Sequence, residues 1–126
     1  MSLDSMIDPV IEVSRQAGEI IMRYFDEGTP TTIKADGSPV TAADQDAENI
    51  IIPVLRDLTP SIPVVAEESA AAGTLPSTNE NTFWLVDPLD GTKEFINRRT
   101  DFTVNIGLIR DRRPVLGVVL TPYDLS

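Results

Sequence analysis

Six consecutive residues, Asp87-Pro88-Leu89-Asp90-Gly91-Thr92, hold two carboxylates, a rigid proline, a glycine and a hydroxyl. The apolar run before them, Phe83-Trp84-Leu85-Val86, predicts a buried strand. Carboxylates gathered where a strand ends suit a hard cation such as Mg²⁺, which prefers oxygen ligands. The Leu89 carbonyl offers a neutral oxygen between the two aspartates. Gly91 and Thr92 add backbone N–H groups and a hydroxyl of the kind a phosphate needs. Together these residue types point to metal-assisted phosphate chemistry. A surface β-turn uses the same types, because Pro, Asp and Gly all favour turns.

Two further acidic positions belong with this run. Ile62-Pro63-Val64-Val65-Ala66 predicts a short strand leading into Glu67-Glu68-Ser69. Neighbouring strands could then bring Glu67 beside Asp87 and Asp90. Two cations about 3.5–4 Å apart can share such carboxylates, activating a water and stabilising a leaving oxygen. Asp44 follows Thr41 by three residues at a helix start, which resembles a capping box with Asp in place of Glu. Capping accounts for Asp44 on its own. Its alternative role is to orient or deprotonate water together with the Thr92 hydroxyl.

Composition narrows the chemistry further. There is no histidine, which removes the commonest general base, the Ser-His-Asp triad and imidazole metal ligands. There is no cysteine, which removes disulfides, thiolate metal sites and thiol nucleophiles. A net charge of −10 argues against nucleic-acid binding, which needs a basic surface. An acidic protein can still take a phosphorylated small molecule if metal ions neutralise the site. Hydrophobic content of 41% and charged content of 24% suit a globular domain. No apolar run approaches the roughly 18 residues of a membrane span. Met1-Ser2-Leu3-Asp4 lacks the basic start of a signal peptide, so a cytoplasmic location is expected.

The positioning elements follow from periodicity. Ile7, Val10, Ile11, Ser14, Ala17, Gly18, Ile21, Tyr24 and Phe25 have helical spacing, and Gly28 and Pro30 end that helix. Residues 29–40 are expected to be a connector, with Asp36-Gly37-Ser38-Pro39 as a turn and Lys34 in solvent. A second helix runs from Thr41 to Thr59-Pro60, with Pro53 inside it. Residues 70–81 look like a mobile loop. Pro88 should stop the sheet ladder, and Gly91 to Asn97 can form a short helix. Phe102 to Ile109 and Pro114 to Leu120 alternate as strands, joined by a hairpin turn at Arg110-Asp111-Arg112-Arg113. The expected class is α+β: an antiparallel sheet with two N-terminal helices on one face, the other face left needing a partner layer.

Three stretches taken together resemble the inositol monophosphatase superfamily. They are Ser38-Pro39-Val40-Thr41-Ala42-Ala43-Asp44, then Ala66-Glu67-Glu68-Ser69, then Trp84 to Phe95, which includes Asp87-Pro88-Leu89-Asp90-Gly91-Thr92-Lys93-Glu94-Phe95. The last stretch is most similar to the 3′(2′),5′-bisphosphate nucleotidase branch. The resemblance implies an αβαβα layered fold and lithium-sensitive hydrolysis of a phosphomonoester that depends on two or three Mg²⁺ ions. The implied substrate is 3′-phosphoadenosine 5′-phosphate, giving AMP and phosphate by metal-activated water, with a place in sulfur metabolism. An inositol or sugar-phosphate monophosphatase is the alternative, and a non-catalytic metal- or partner-binding fragment is a third reading.

By the same resemblance Glu67, Asp87, Asp90 and the Leu89 carbonyl bind metal. Asp44 and Thr92 are catalytic, and Gly91 and Thr92 contact phosphate. Glu68 would serve an additional metal or stand behind the ligands. The partners implied are a small phosphorylated molecule, a nucleotide, and in some arrangements a second copy of the chain. Residues 1–126 correspond to the N-terminal metal-binding half of the family. A later Trp-Asp segment with a further metal-binding aspartate, in a C-terminal domain, is not in this sequence. The chain alone is expected to be weakly active or inactive.

Overall fold

A computed structural model of the chain describes residues 3–28, 31–33, 39–66 and 81–125. Helix α1 spans Leu3–Glu27 and buries a stripe of Met6, Val10, Val13, Ala17, Ile21 and Phe25. That stripe recurs every three or four residues, so one face of the helix meets the core. The helix begins earlier than its apolar spacing predicts and carries Pro9, whose missing N–H removes one bond near the first turns. Gly28, at φ +90°, ends it and donates its N–H to the Tyr24 carbonyl at 2.8 Å.

The connector expected at 29–40 contains a short antiparallel pair, β1 (Thr31–Ile33) and β2 (Pro39–Thr41). Strands of three residues are too short for alternation to signal them. Lys34 and the Asp36-Gly37-Ser38 part of the turn signal lie outside the described residues, as does most of the loop expected at 70–81. Helix α2 (Ala42–Leu58) starts directly from β2 and buries Ala43, Ala47, Ile51 and Leu55. Pro53 sits within it, as the sequence predicts.

Four strands form one sheet in the order β3-β4-β5-β6: Val64–Ala66, Thr82–Asp90, Thr103–Arg110 and Arg113–Leu120. The sheet is mixed rather than wholly antiparallel, because β3 and β4 run parallel. A parallel pair needs a crossover of about a dozen residues or more, and the sequence between Ala66 and Thr82 has that length. The β5–β6 hairpin turns at Asp111 and Arg112, both at positive φ (53° and 67°). Two such residues make the turn whose twist matches the flanking strands.

Both long helices pack on the sheet face that presents Trp84, Val86, Val104, Ile106 and Leu108. α1 approaches β6 closely at Gly18, where a Cβ would stand 3.0 Å from Leu120 Cδ2. The opposite face presents Phe83, Leu85, Asp87, Asn105, Ile109 and Val119. Val119 there is 72% exposed.

Candidate active site

Asp44 reaches the site because the start of α2 is fixed from both sides. The Thr41 N–H donates to Asp44 Oδ2 at 2.7 Å, and the Asp44 N–H donates to Thr41 Oγ1 at 3.3 Å. This reciprocal capping box satisfies two backbone or cap groups at once. It also fixes the rotamer of Asp44, whose side chain is buried. Capping occupies Oδ2, and Oδ1 points away from the cap to within 3.5 Å of Thr92 Oγ1. The capping and site roles are therefore divided between two oxygens of one carboxylate.

Strand β4 carries the two aspartates. It does not stop at Pro88 but continues to Asp90. Pairing with β5 runs through Asp87↔Asn105, skips, and resumes at Asp90↔Thr103. Pro88 has no N–H to give the ladder, so the skip falls where proline is tolerated within a sheet. Pro88 and Leu89 are buried, which corrects the surface-turn reading of this stretch. Leu89 anchors the irregularity in the core, with its carbonyl accepting from Thr92 Oγ1 at 3.2 Å. A carbonyl has a second lone pair, which remains for a cation.

Gly91 then reverses the chain at φ +93°. A Cβ there would meet the Phe102 Cα at 3.3 Å as well as a strained backbone angle. Helix α3 (Thr92–Ile96) follows. Five residues are too few for a helix to hold itself. Phe95 supplies the anchor, buried in a ring cluster with Phe25, Phe102 and Tyr123. Arg98 adds a clamp: its guanidinium lies 4.5 Å over the Phe25 ring and donates to the Phe25 carbonyl at the end of α1. The Thr92 hydroxyl is thus held from the far side of α3 by residues of α1.

Of the residues predicted from sequence, Asp44, Leu89 and Thr92 are joined by the contacts above. Asp90 is next to Leu89 in the chain, and Asn105 Nδ2 donates to Asp90 Oδ2 at 3.2 Å. Asp87 is half-buried, one residue beyond the Ala66↔Val86 pair where β3 ends. Glu67 and Glu68 lie outside the described residues. Among the described residues no three acidic side chains gather as a metal-holding group.

Sequence reasoning missed Asn105 and Arg98. Asn105 is a polar residue between the apolar Val104 and Ile106, and only the register with Asp87 marks it. Arg98 looks like any exposed arginine until α1 and α3 are seen together.

The groups present fit a hard cation. Every donor on the turn is an oxygen: the Asp87 and Asp90 carboxylates and the Leu89 carbonyl. Beside them Asn105 Oδ1 is shielded from solvent and accepts no hydrogen bond among the described residues.

A model of the inositol monophosphatase family matches residues 2–125. The chain belongs to the inositol monophosphatase family. Within this family, the 3′(2′),5′-bisphosphate nucleotidase CysQ of Escherichia coli strain K12 is 50% identical over 119 residues, covering 93% of this chain and 48% of that protein. The crystal structure of CysQ from Bacteroides thetaiotaomicron, described as a bacterial member of the family, superposes with a TM-score of 0.71 at 37% identity, over 95% of this chain and 43% of that one. Extragenic suppressor protein suhB from Bartonella henselae superposes with a TM-score of 0.83 at 26% identity, over 95% of this chain and 46% of that one. The chain spans about half the length of the curated relatives it matches. Among the described residues no helix is long and apolar enough to cross a membrane.

Proposed function

We propose that this chain carries the metal-binding half of a Mg²⁺-dependent 3′(2′),5′-bisphosphate nucleotidase, which converts 3′-phosphoadenosine 5′-phosphate to AMP and phosphate. The observation that carries the reading is Asp44 Oδ1 facing Thr92 Oγ1 beside the Asp87–Asp90 turn. The 50% identity to nucleotidases named CysQ supports the choice of substrate.

Asp87, Asp90 and the Leu89 carbonyl would hold Mg²⁺, with Glu67 as a further ligand and Glu68 next to it. When bound, two or three such ions neutralise phosphate charge and lower the pKa of water. The Thr92 hydroxyl has two acceptors within reach, the Leu89 carbonyl at 3.2 Å and Asp44 Oδ1 at 3.5 Å, and donation to the nearer one would leave its lone pairs for the site. A water seated beside the Thr92 Oγ1–Asp44 Oδ1 pair would donate one hydrogen to each and be aligned on phosphorus. Asp44 Oδ1 then takes the proton as general base. Backbone N–H groups of Gly91 and Thr92 would meet the phosphate oxygens. Lithium sensitivity, a role in sulfur metabolism and a cytoplasmic location belong to the same proposal.

A second reading, an inositol or sugar-phosphate monophosphatase, draws on the superposition with the inositol monophosphatase from Anabaena, at a TM-score of 0.79. Comparing phosphate release from 3′-phosphoadenosine 5′-phosphate and from inositol 1-phosphate tests the choice. Preference for the nucleotide is expected, and preference for inositol 1-phosphate would reverse it. Mg²⁺ binding with no turnover of either by the complete protein would favour a non-catalytic module.

A further inference from the structure

Asn105 meets the carboxylate turn through one end of its amide, and the other end is buried without a donor among the described residues. It lies on β5 directly opposite Asp87, and its Nδ2 donates to Asp90 Oδ2 at 3.2 Å. Only an N–H can face a carboxylate oxygen at that distance, so chemistry fixes which end is which. The other end is the unusual one. Asn105 Oδ1 is shielded from solvent and has no hydrogen-bond donor among the described residues. A buried acceptor without a donor is costly. A solvated asparagine on the outer sheet face would turn that oxygen to water, and an apolar strand residue would avoid the cost altogether.

We propose that Asn105 is a positioning residue of the cation site, which holds Asp90 through Nδ2 and receives a water of the hydrated ion at Oδ1. The inference rests on reading Asp87 and Asp90 as Mg²⁺ ligands. The bond from Nδ2 occupies one Asp90 oxygen and leaves the other for the ion. Mg²⁺ gives up its waters reluctantly and usually keeps several, so it brings hydrogen-bond donors into the site. Oδ1, which has no donor among the described residues, is an acceptor such waters would find. Side chains that orient metal ligands typically change affinity by about 10–100-fold when removed.

The test is Mg²⁺ titration of the complete protein by calorimetry, beside thermal melting in metal-free buffer followed by circular dichroism. Asn105→Leu removes both ends of the amide. Asn105→Ser is smaller and cannot span to Asp90. Both variants are expected to bind Mg²⁺ about 10–100-fold more weakly, with the Asn105→Leu chain melting no lower than the parent without metal. Unchanged affinity in the variants beside a parent chain that binds overturns this inference alone. A lowered metal-free melting temperature with unchanged affinity, or loss of the fold in both variants, assigns Asn105 a structural role and overturns it too. A parent chain that takes up no Mg²⁺ overturns the carboxylate reading, and the inference with it.

Discussion

Asp44 Oδ1 stands 3.5 Å from Thr92 Oγ1, although 48 residues separate them in sequence. One residue starts a helix that leaves a short strand pair. The other starts a helix that leaves a buried, irregular strand. Their meeting means that the capping box of α2 also sets the geometry of the site. Asp44→Asn keeps a carbonyl oxygen for the cap but removes the charge that would accept a proton. Folding stability should change by about 1 kcal/mol or less, while phosphate release by the complete protein falls about 10²- to 10⁴-fold. Paired denaturation and turnover measurements separate the two effects.

Gly91 should not tolerate a side chain. Its φ of +93° and the 3.3 Å approach of a Cβ to the Phe102 Cα act together. Gly91→Ala is expected to cost at least about 1–2 kcal/mol and to shift Thr92 relative to Asp44. Urea unfolding measures the first, and the loss of turnover in the folded protein reports the second.

A buried hydrogen bond ties the sheet to the end of α2. Trp84 Nε1–H donates to Thr59 Oγ1 at 2.8 Å, and Thr59 Oγ1 donates in turn to the Leu55 carbonyl at 2.9 Å. Thr59→Val leaves the indole N–H buried without an acceptor. The expected cost is about 1–3 kcal/mol, read from chemical denaturation. Trp84 is the chain's one tryptophan and is fully buried, so its emission reports unfolding directly.

Alkaline pH should weaken the contact between α1 and α2. The Tyr24 hydroxyl donates to Asp46, and that bond holds the phenol's pKa above its ordinary value of 10.0. The raised value means the fold favours neutral Tyr24. Its contribution is complete below the unfolded pKa and disappears as pH rises through the higher folded one. Tyr24→Phe should therefore flatten the alkaline limb of the stability profile, measured as urea midpoint against pH above about 9. An unchanged limb in the variant would assign the alkaline loss to other groups.

Local signals were legible in the chain, and non-local ones were not. Thr41 and Asp44 announce their capping box within four residues, and the Arg110–Arg113 turn is set by its flanking alternation. The burial of Pro88 and Leu89 was not legible, because a turn and a ladder irregularity use the same residue types. The parallel β3–β4 pair depends on how a crossover is routed, which periodicity does not encode. Asn105 gains meaning only from the strand opposite, and Arg98 only from the end of α1. The expectation of cation chemistry came from carboxylates, proline and glycine falling in one short run. The side chains that hold the run in place come from distant parts of the chain.

Metal dependence of hydrolysis at the Asp87–Asp90 turn tests the central claim most directly. The measurement is phosphate release from 3′-phosphoadenosine 5′-phosphate by the complete protein, first stripped with chelator and then titrated with Mg²⁺, beside Asp87→Asn and Asp90→Asn. The prediction is no turnover without metal, recovery as Mg²⁺ is restored, and little recovery in either variant while the circular dichroism of the folded protein persists. Undiminished hydrolysis in chelator, or full Mg²⁺-dependent turnover in both variants, would contradict the account.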